Sequence, residues 1–167
     1  MTDLEAQAIA ADVLHREARF LDERRWDDWL ALYHERAVFW VPAWTDEDEY
    51  THDPESEISL IYISSRAQLE ERVSRIVSGK SAASTPQLRT AHALANILVE
   101  LGEAVDQMTV RSIVTTHLFD VLRKEQHVYF SRCEHRLIRS NGGWRIGQKK
   151  IVVLNDCLPT VMDFYTI

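Results

Sequence analysis

Cysteine is nearly missing from this chain: Cys133 and Cys157 are the only two among 167 residues. That excludes a disulfide-stapled scaffold, and two thiols in a chain with room for a full core read as reduced and buried. No apolar run approaches the ~20 residues needed to cross a bilayer. The opening Thr2-Asp-Leu-Glu5 is acidic, unlike the basic start of a secretory leader. A cytoplasmic protein that does not engage a membrane is therefore expected. Excess positive charge is missing too. With 19 Lys and Arg against 26 Asp and Glu, the formal charge is −7. Nucleic acid is disfavoured as a partner, because neutralising phosphates takes a basic surface. Also absent are a nucleophile elbow, a phosphate-binding loop, a dinucleotide fingerprint, internal repeats and low-complexity tracts.

What is present is an ordinary globular balance, 46% hydrophobic and 27% charged, in a length that suits a single domain over 1–167. Folding such a chain buries roughly 70% of its unfolded surface, so neither metal nor disulfide is required. Thr2 and Glu5 have capping-box spacing ahead of a helix on which Ile9, Ala10, Val13, Leu14, Glu17 and Leu21 share one side. Trp26, Trp29, Leu30 and Tyr33 fall at i, i+3, i+4 and i+7, predicting a second helix with an aromatic stripe. A short strand over 38–41 ends at Pro42, an acidic loop fills 43–57, and a second strand covers 58–63. Ser65 and Gln68 can open a third helix that buries Leu69, Val73, Ile76 and Val77. Residues 79–86 read as a flexible connection. Beyond Leu88 the pattern turns to long strands over 88–101, 105–120, 127–140 and 144–154, with Asn141-Gly142-Gly143 as a hairpin turn. Helices followed by an antiparallel meander give an α+β fold, with the helices on one face of a strongly bent sheet.

Few residues could carry chemistry. Cys133-Glu-His135 puts a thiol and an imidazole on one face of a strand, but two ligands do not fill a tetrahedral site. A Rieske cluster needs two Cys-x-His-like pairs, and Cys157 is followed by Leu-Pro-Thr. No metal ligands are assigned in this chain. One catalytic reading survives: Asp28, Tyr33, His92 and His117 could project into the pocket of a cone, where a carboxylate-oriented histidine acts as a general base. That would make the chain a free-standing dehydratase or isomerase. Against it stands the commoner fate of such histidines, buried and hydrogen-bonded or simply exposed.

The densest signal runs from Trp26 to Arg75, where four of five tryptophans fall between 26 and 44, ahead of most of the acidic loop and of an arginine-rich helix. Rigid aromatics and arginines without a cofactor motif suit a surface that binds other chains. The carrying segments are His15-Arg-Glu-Ala-Arg19, Trp26-Asp-Asp-Trp29-Leu30, Phe39-Trp-Val-Pro-Ala-Trp44 and Asp53-Pro-Glu-Ser-Glu-Ile-Ser-Leu-Ile-Tyr62. Leu69-Glu-Glu-Arg72-Val-Ser-Arg75, Ser81-Ala-Ala-Ser-Thr-Pro86, Arg89-Thr-Ala-His92 and Lys149-Lys-Ile-Val-Val-Leu-Asn-Asp156 complete the set. In this order they resemble the small (beta) subunit of aromatic-ring-hydroxylating dioxygenases, benzoate and anthranilate branch.

The resemblance implies a cystatin-like cone of the nuclear-transport-factor type, with N-terminal helices packed on the concave face of the sheet. It implies a homotrimer of small subunits carrying three large (alpha) subunits, which together cis-dihydroxylate an aromatic carboxylate such as benzoate or anthranilate. The Rieske [2Fe-2S] cluster and mononuclear Fe(II) would belong to the large subunit, with NADH supplying electrons through a reductase. No catalytic, cofactor-binding or metal residue is then expected here. Trp26, Trp29, Trp40, Pro42, Trp44, Asp53, Pro54, Glu57, Tyr62, Arg66, Arg72, Arg75 and Arg89 become candidates for contacts between subunits.

Overall fold

A computed structural model describes residues 1–80, 86–102, 104, 106–155 and 162–167. Cys157 and most of the connection expected over 79–86 lie outside the described residues. Helix α1 (Asp3–Asp22) starts at the predicted capping box: the Thr2 amide donates to Glu5 Oε2 at 2.8 Å, and the Glu5 amide to Thr2 Oγ1 at 3.2 Å. Its buried side is Ala6, Ala10, Val13, Leu14, Glu17, Phe20 and Leu21, apolar except for one carboxylate. Helix α2 (Trp26–Ala31) is shorter than the aromatic spacing predicts, and Tyr33 already belongs to strand β1 (Tyr33–Pro42). The run Ala37-Val38-Phe39-Trp40-Val41 prefers a pleated, half-buried surface and draws the preceding residues into the sheet. Trp29 and Tyr33 still meet, with ring centroids 4.9 Å apart.

Strand β2 (Ser59–Ile63) and helix α3 (Arg66–Val77) follow, then β3 (Arg89–Leu101), β4 (Gln107–Asp120), β5 (Glu125–Ser140) and β6 (Gly143–Val153). One six-stranded sheet results, in the order β2-β1-β6-β5-β4-β3. β3 to β6 form the predicted antiparallel meander, while β1 lies parallel to β6, so the sheet is mixed. Two bulges bend it. Asn96, in the left-handed region at φ 53°, marks the first: Ala95 pairs with Ile113 and Leu98 with Arg111, leaving two residues opposite one. At the second, Arg136 pairs with Gln148 but Leu137 with Ile146, so Gly147 is the extra residue. A Cβ there would sit 3.3 Å from two carbons of Ile138.

The helices cover the inner face, α1 mainly over β3 and α3 over β1. A short 3-10 turn, Phe164–Thr166, closes the interior: Phe164 stacks on Trp29 at 4.7 Å and meets Trp26 edge-on at 5.8 Å. Arg72 of α3 fastens this turn through Asp163 at 3.3 Å. The long free edge of β3 is occupied by polar groups of α1 and its C-terminal turn. Gln7 Nε2 donates to the Ile97 carbonyl at 2.9 Å, Asp22 Oδ2 accepts from the His92 amide at 3.0 Å, and Arg24 donates to the Leu88 carbonyl at 3.3 Å. An edge strand so covered cannot recruit another strand.

Candidate functional site

The only carboxylate on the buried side of α1 sits at the centre of the cone. Glu17 Oε1 accepts from the Tyr33 hydroxyl at 2.5 Å and from Lys149 Nζ at 2.9 Å, and His135 Nε2 lies 3.1 Å from Oε2. Four elements contribute, α1, β1, β5 and β6, and each of these residues is 4% exposed or less. His135 and Cys133 point inward by simple alternation along β5. Lys149 does so because of the Gly147 bulge. Without the extra residue, the phase that buries Ile146 would turn Lys149 outward.

The electrostatics follow from burial and neighbours. Burial alone would raise the Glu17 carboxyl, but the Lys149 ammonium, the His135 contact and the Tyr33 hydroxyl more than offset it. Glu17 is held well below the usual carboxylate range. Burial pushes His135 down, so its neutral ring donates Nε2–H to Glu17, leaving Nδ1 without a partner. Burial also lifts Tyr33 well above the usual phenol, with Glu17 adding to the shift. Cys133 is pushed up to about 12, chiefly by burial. The cluster is one carboxylate and one ammonium bridged by neutral donors, closed to solvent. It fixes α1 against the sheet and gives a reactant no access.

The four residues of the catalytic alternative are not brought together. Asp28 is on the surface, paired with Arg25 at 2.8 Å. Tyr33 is committed to Glu17, and His117 is exposed on the opposite face of the sheet. His92 has a carboxylate partner, but it is Asp22: Nδ1 lies 2.6 Å from Oδ1, which also accepts from Thr90 Oγ1 at 2.8 Å. That Asp–His pair holds the β3 edge rather than lining a pocket.

The aromatic stretch divides as well. Trp29 is 0% exposed, and Trp40 and Pro42 are also buried, so their bulk is spent inside this chain. Trp40 Nε1 donates to Ser59 Oγ at 2.9 Å, and Lys150 Nζ lies between the rings of Trp40 and Tyr50, 4.5 and 4.7 Å from their centroids. Trp44, half-buried, donates Nε1–H to the Val153 carbonyl at 2.6 Å and pins the acidic loop. Trp26, Pro54, Tyr62, Arg66 and Arg72 are half-buried, and Asp53, Glu57, Arg75 and Arg89 are exposed. Among the described residues, no three His, Cys, Asp or Glu side chains converge as metal ligands. Cys133, with its thiol kept protonated, and His135, engaged by Glu17, do not fit such a site.

The signature of the ring-hydroxylating beta subunit matches residues 16–160. The chain belongs to that family. It is 40% identical over 168 residues, covering 100% of both chains, to the small subunit of 2-halobenzoate 1,2-dioxygenase from Burkholderia cepacia. Among solved structures, the beta subunit of benzoate 1,2-dioxygenase from Burkholderia mallei is 36% identical, with 94% of each chain covered and a TM-score of 0.76. A cystatin-like protein from Nostoc punctiforme, only 14% identical but with a TM-score of 0.65 over 95% of this chain and 97% of its own, places the fold among the cystatin-like cones. The resemblance drawn from the sequence motifs and the cone expected from it are both met. No helix among the described residues is long and apolar enough to cross a membrane.

Proposed function

We propose that this chain is the non-catalytic structural subunit of a cytoplasmic oxygenase component that cis-dihydroxylates an aromatic carboxylate of the benzoate type. The observation that carries the reading is family membership over nearly the whole chain, together with relatives that are subunits of 2-halobenzoate and benzoate 1,2-dioxygenases. The filled interior supports it: Trp29, Phe164 and the Glu17 cluster occupy the space where a cone enzyme would hold its reactant. The partner is a large alpha subunit that holds the Rieske [2Fe-2S] cluster and mononuclear Fe(II), supplied with electrons from NADH by a reductase. The small subunit forms a homotrimer whose role is spacing, because misplacing redox centres by small distances costs orders of magnitude in rate.

Contacts with the large subunit fall on the exposed and half-buried parts of the aromatic and arginine-rich stretch: Trp44 with Asp53, Pro54 and Glu57, and the α3 arginines 66, 72 and 75. Co-expression with the large subunit tests the reading. The two should purify together, with iron and benzoate dihydroxylation in the complex and neither in the isolated small subunit. Stoichiometric iron bound to the isolated chain, or turnover without a partner, refutes it.

A further inference from the structure

On the face of the sheet turned away from the helices lies a hollow of about 390 Å³, between the outer side chains of β3 to β6 and Tyr50 of the acidic loop. That is the small end of the ~300–1,000 Å³ usual for small-molecule sites. Its charges are not balanced. Arg111 is held by Glu100 and by Glu134, the latter at 3.1 Å. Glu134 is thereby engaged, although Lys150 is its neighbour on β6. The Lys150 ammonium turns instead to the rings of Trp40 and Tyr50, 4.5 and 4.7 Å from their centroids. Arg132 stands on β5 between Ile113 and Val152, diagonally across from Lys150. Among the described residues, neither Arg132 nor Lys150 has a carboxylate within ion-pair distance. In a chain with a formal charge of −7, two unmatched cations in one recess are open to an anion from outside.

Much of the remaining wall is apolar: Leu98, Ile113 and Val152, with the ring of Tyr50. Tyr50 is fixed in place, since it forms a bridge with Trp44 and meets that ring edge-on at 5.5 Å. Trp44 is in turn tied to the Val153 carbonyl at 2.6 Å. The recess is built before any ligand arrives, which lowers the ordering cost of binding. An inorganic anion would answer the two cations and leave the apolar wall wet. A neutral ring would cover the wall and leave the cations unmatched. An anion carrying one flat ring satisfies both, with the tyrosine as its stacking partner.

We infer that this hollow is a binding site for a small aromatic carboxylate, with its ring against Tyr50, Leu98 and Ile113 and its charge toward Arg132 and Lys150. The ring and the negative charge follow from the lining. The choice of a carboxylate among anionic groups rests on the proposed function, whose substrate is of that class.

Calorimetric titration of the full-length small subunit with benzoate, in the absence of the large subunit, is the test. Wild type should bind benzoate saturably with a Kd at or below ~1 mM, within reach of a ligand of this size. Benzamide keeps the ring without the charge, and acetate keeps the charge without the ring; each should bind at least ~10-fold more weakly. Arg132→Gln and, independently, Leu98→Asp should weaken benzoate at least ~10-fold, the first through loss of a charge-assisted hydrogen bond. Both side chains are exposed, so both variants should keep the circular dichroism spectrum of the parent. Arg19→Gln, on α1 across the sheet, should bind as wild type does. Absence of saturable binding up to ~10 mM benzoate overturns the inference. So does acetate matching benzoate, or benzoate binding that both folded variants leave intact, which would put the ligand elsewhere. Co-purification with the large subunit is read separately, so failure here leaves the subunit reading standing.

Discussion

Replacing Glu17 by Gln tests the buried cluster most directly. The substitution keeps shape and a hydrogen-bonding oxygen for Tyr33, but removes the charge that faces Lys149 at 2.9 Å. Lys149 is 4% exposed, so its ammonium would be left in the core without a counter-ion. Breaking one side of a buried pair costs ~3–5 kcal/mol. In a domain of this size each kcal/mol lowers Tm by ~2–4 °C, so the variant should melt ~6–20 °C below wild type at pH 7.

The pH dependence has a fixed sign. Glu17 is depressed in the folded chain relative to its ordinary value of 4.5, so its contribution is present above that pH and lost as the pH falls below it. The gap between wild type and variant should therefore narrow in acid. Adding Lys149→Met removes the orphaned charge, and the double variant should recover most of the loss, because the two sites are coupled. Thermal melts and urea titrations of the three variants decide it. A Glu17→Gln protein melting within ~2 °C of wild type at pH 7 would show that Lys149 reaches water or sheds its proton, and the account of the cluster would fail.

Two further outcomes follow from groups nearby. Asp22→Ala removes the acceptor for the His92 amide, His92 Nδ1 and the Thr90 hydroxyl; it should cost ~1–3 kcal/mol and expose the β3 edge, raising light scattering at high concentration relative to wild type. In a Cys157→Ser background, Cys133, with its thiol pushed up to about 12 by burial, should resist maleimide at pH 7 until the protein is unfolded in urea. Labelling of the native protein at the rate of a free thiol would contradict its placement.

Much of the frame was legible in the chain itself. The Thr2–Glu5 capping box, the helix opened by Ser65 and the four long strands all obey local rules, and local rules survive folding; Val77, expected on the buried side of that helix, is its last residue and stands 64% exposed. The boundaries of those four strands fell within two residues of those expected, whereas β1 starts five residues before the expected position 38. Tyr33 was misassigned because helical spacing and strand propensity compete over the same residues, and pairing with β6 decided the contest. The parallel β1–β6 contact joins residues more than a hundred positions apart and leaves no local trace.

The buried cluster was half visible. Glu17 lay on the apolar side of a predicted helix, and Cys133 and His135 on one face of a strand. Lys149 was hidden because a single inserted glycine reverses the phase of β6, and nothing in a two-residue periodicity announces a bulge. The carboxylate that meets His92, Asp22, was missed for a related reason. Asp22 and Asp28 are both near in sequence to the end of α1, and only the turn after that helix decides which one faces the sheet.

The covering of the β3 edge has a consequence for how the protein is made. Its side-chain contacts bridge 64 to 90 positions, and the guarding helix leaves the ribosome well before the strand it guards. A nascent chain with α1 already formed can sheathe β3 as that strand emerges, whereas a chain refolding from denaturant must close the same distance while the strand lies bare. Losses to aggregates should thus be greater on dilution from urea than during synthesis.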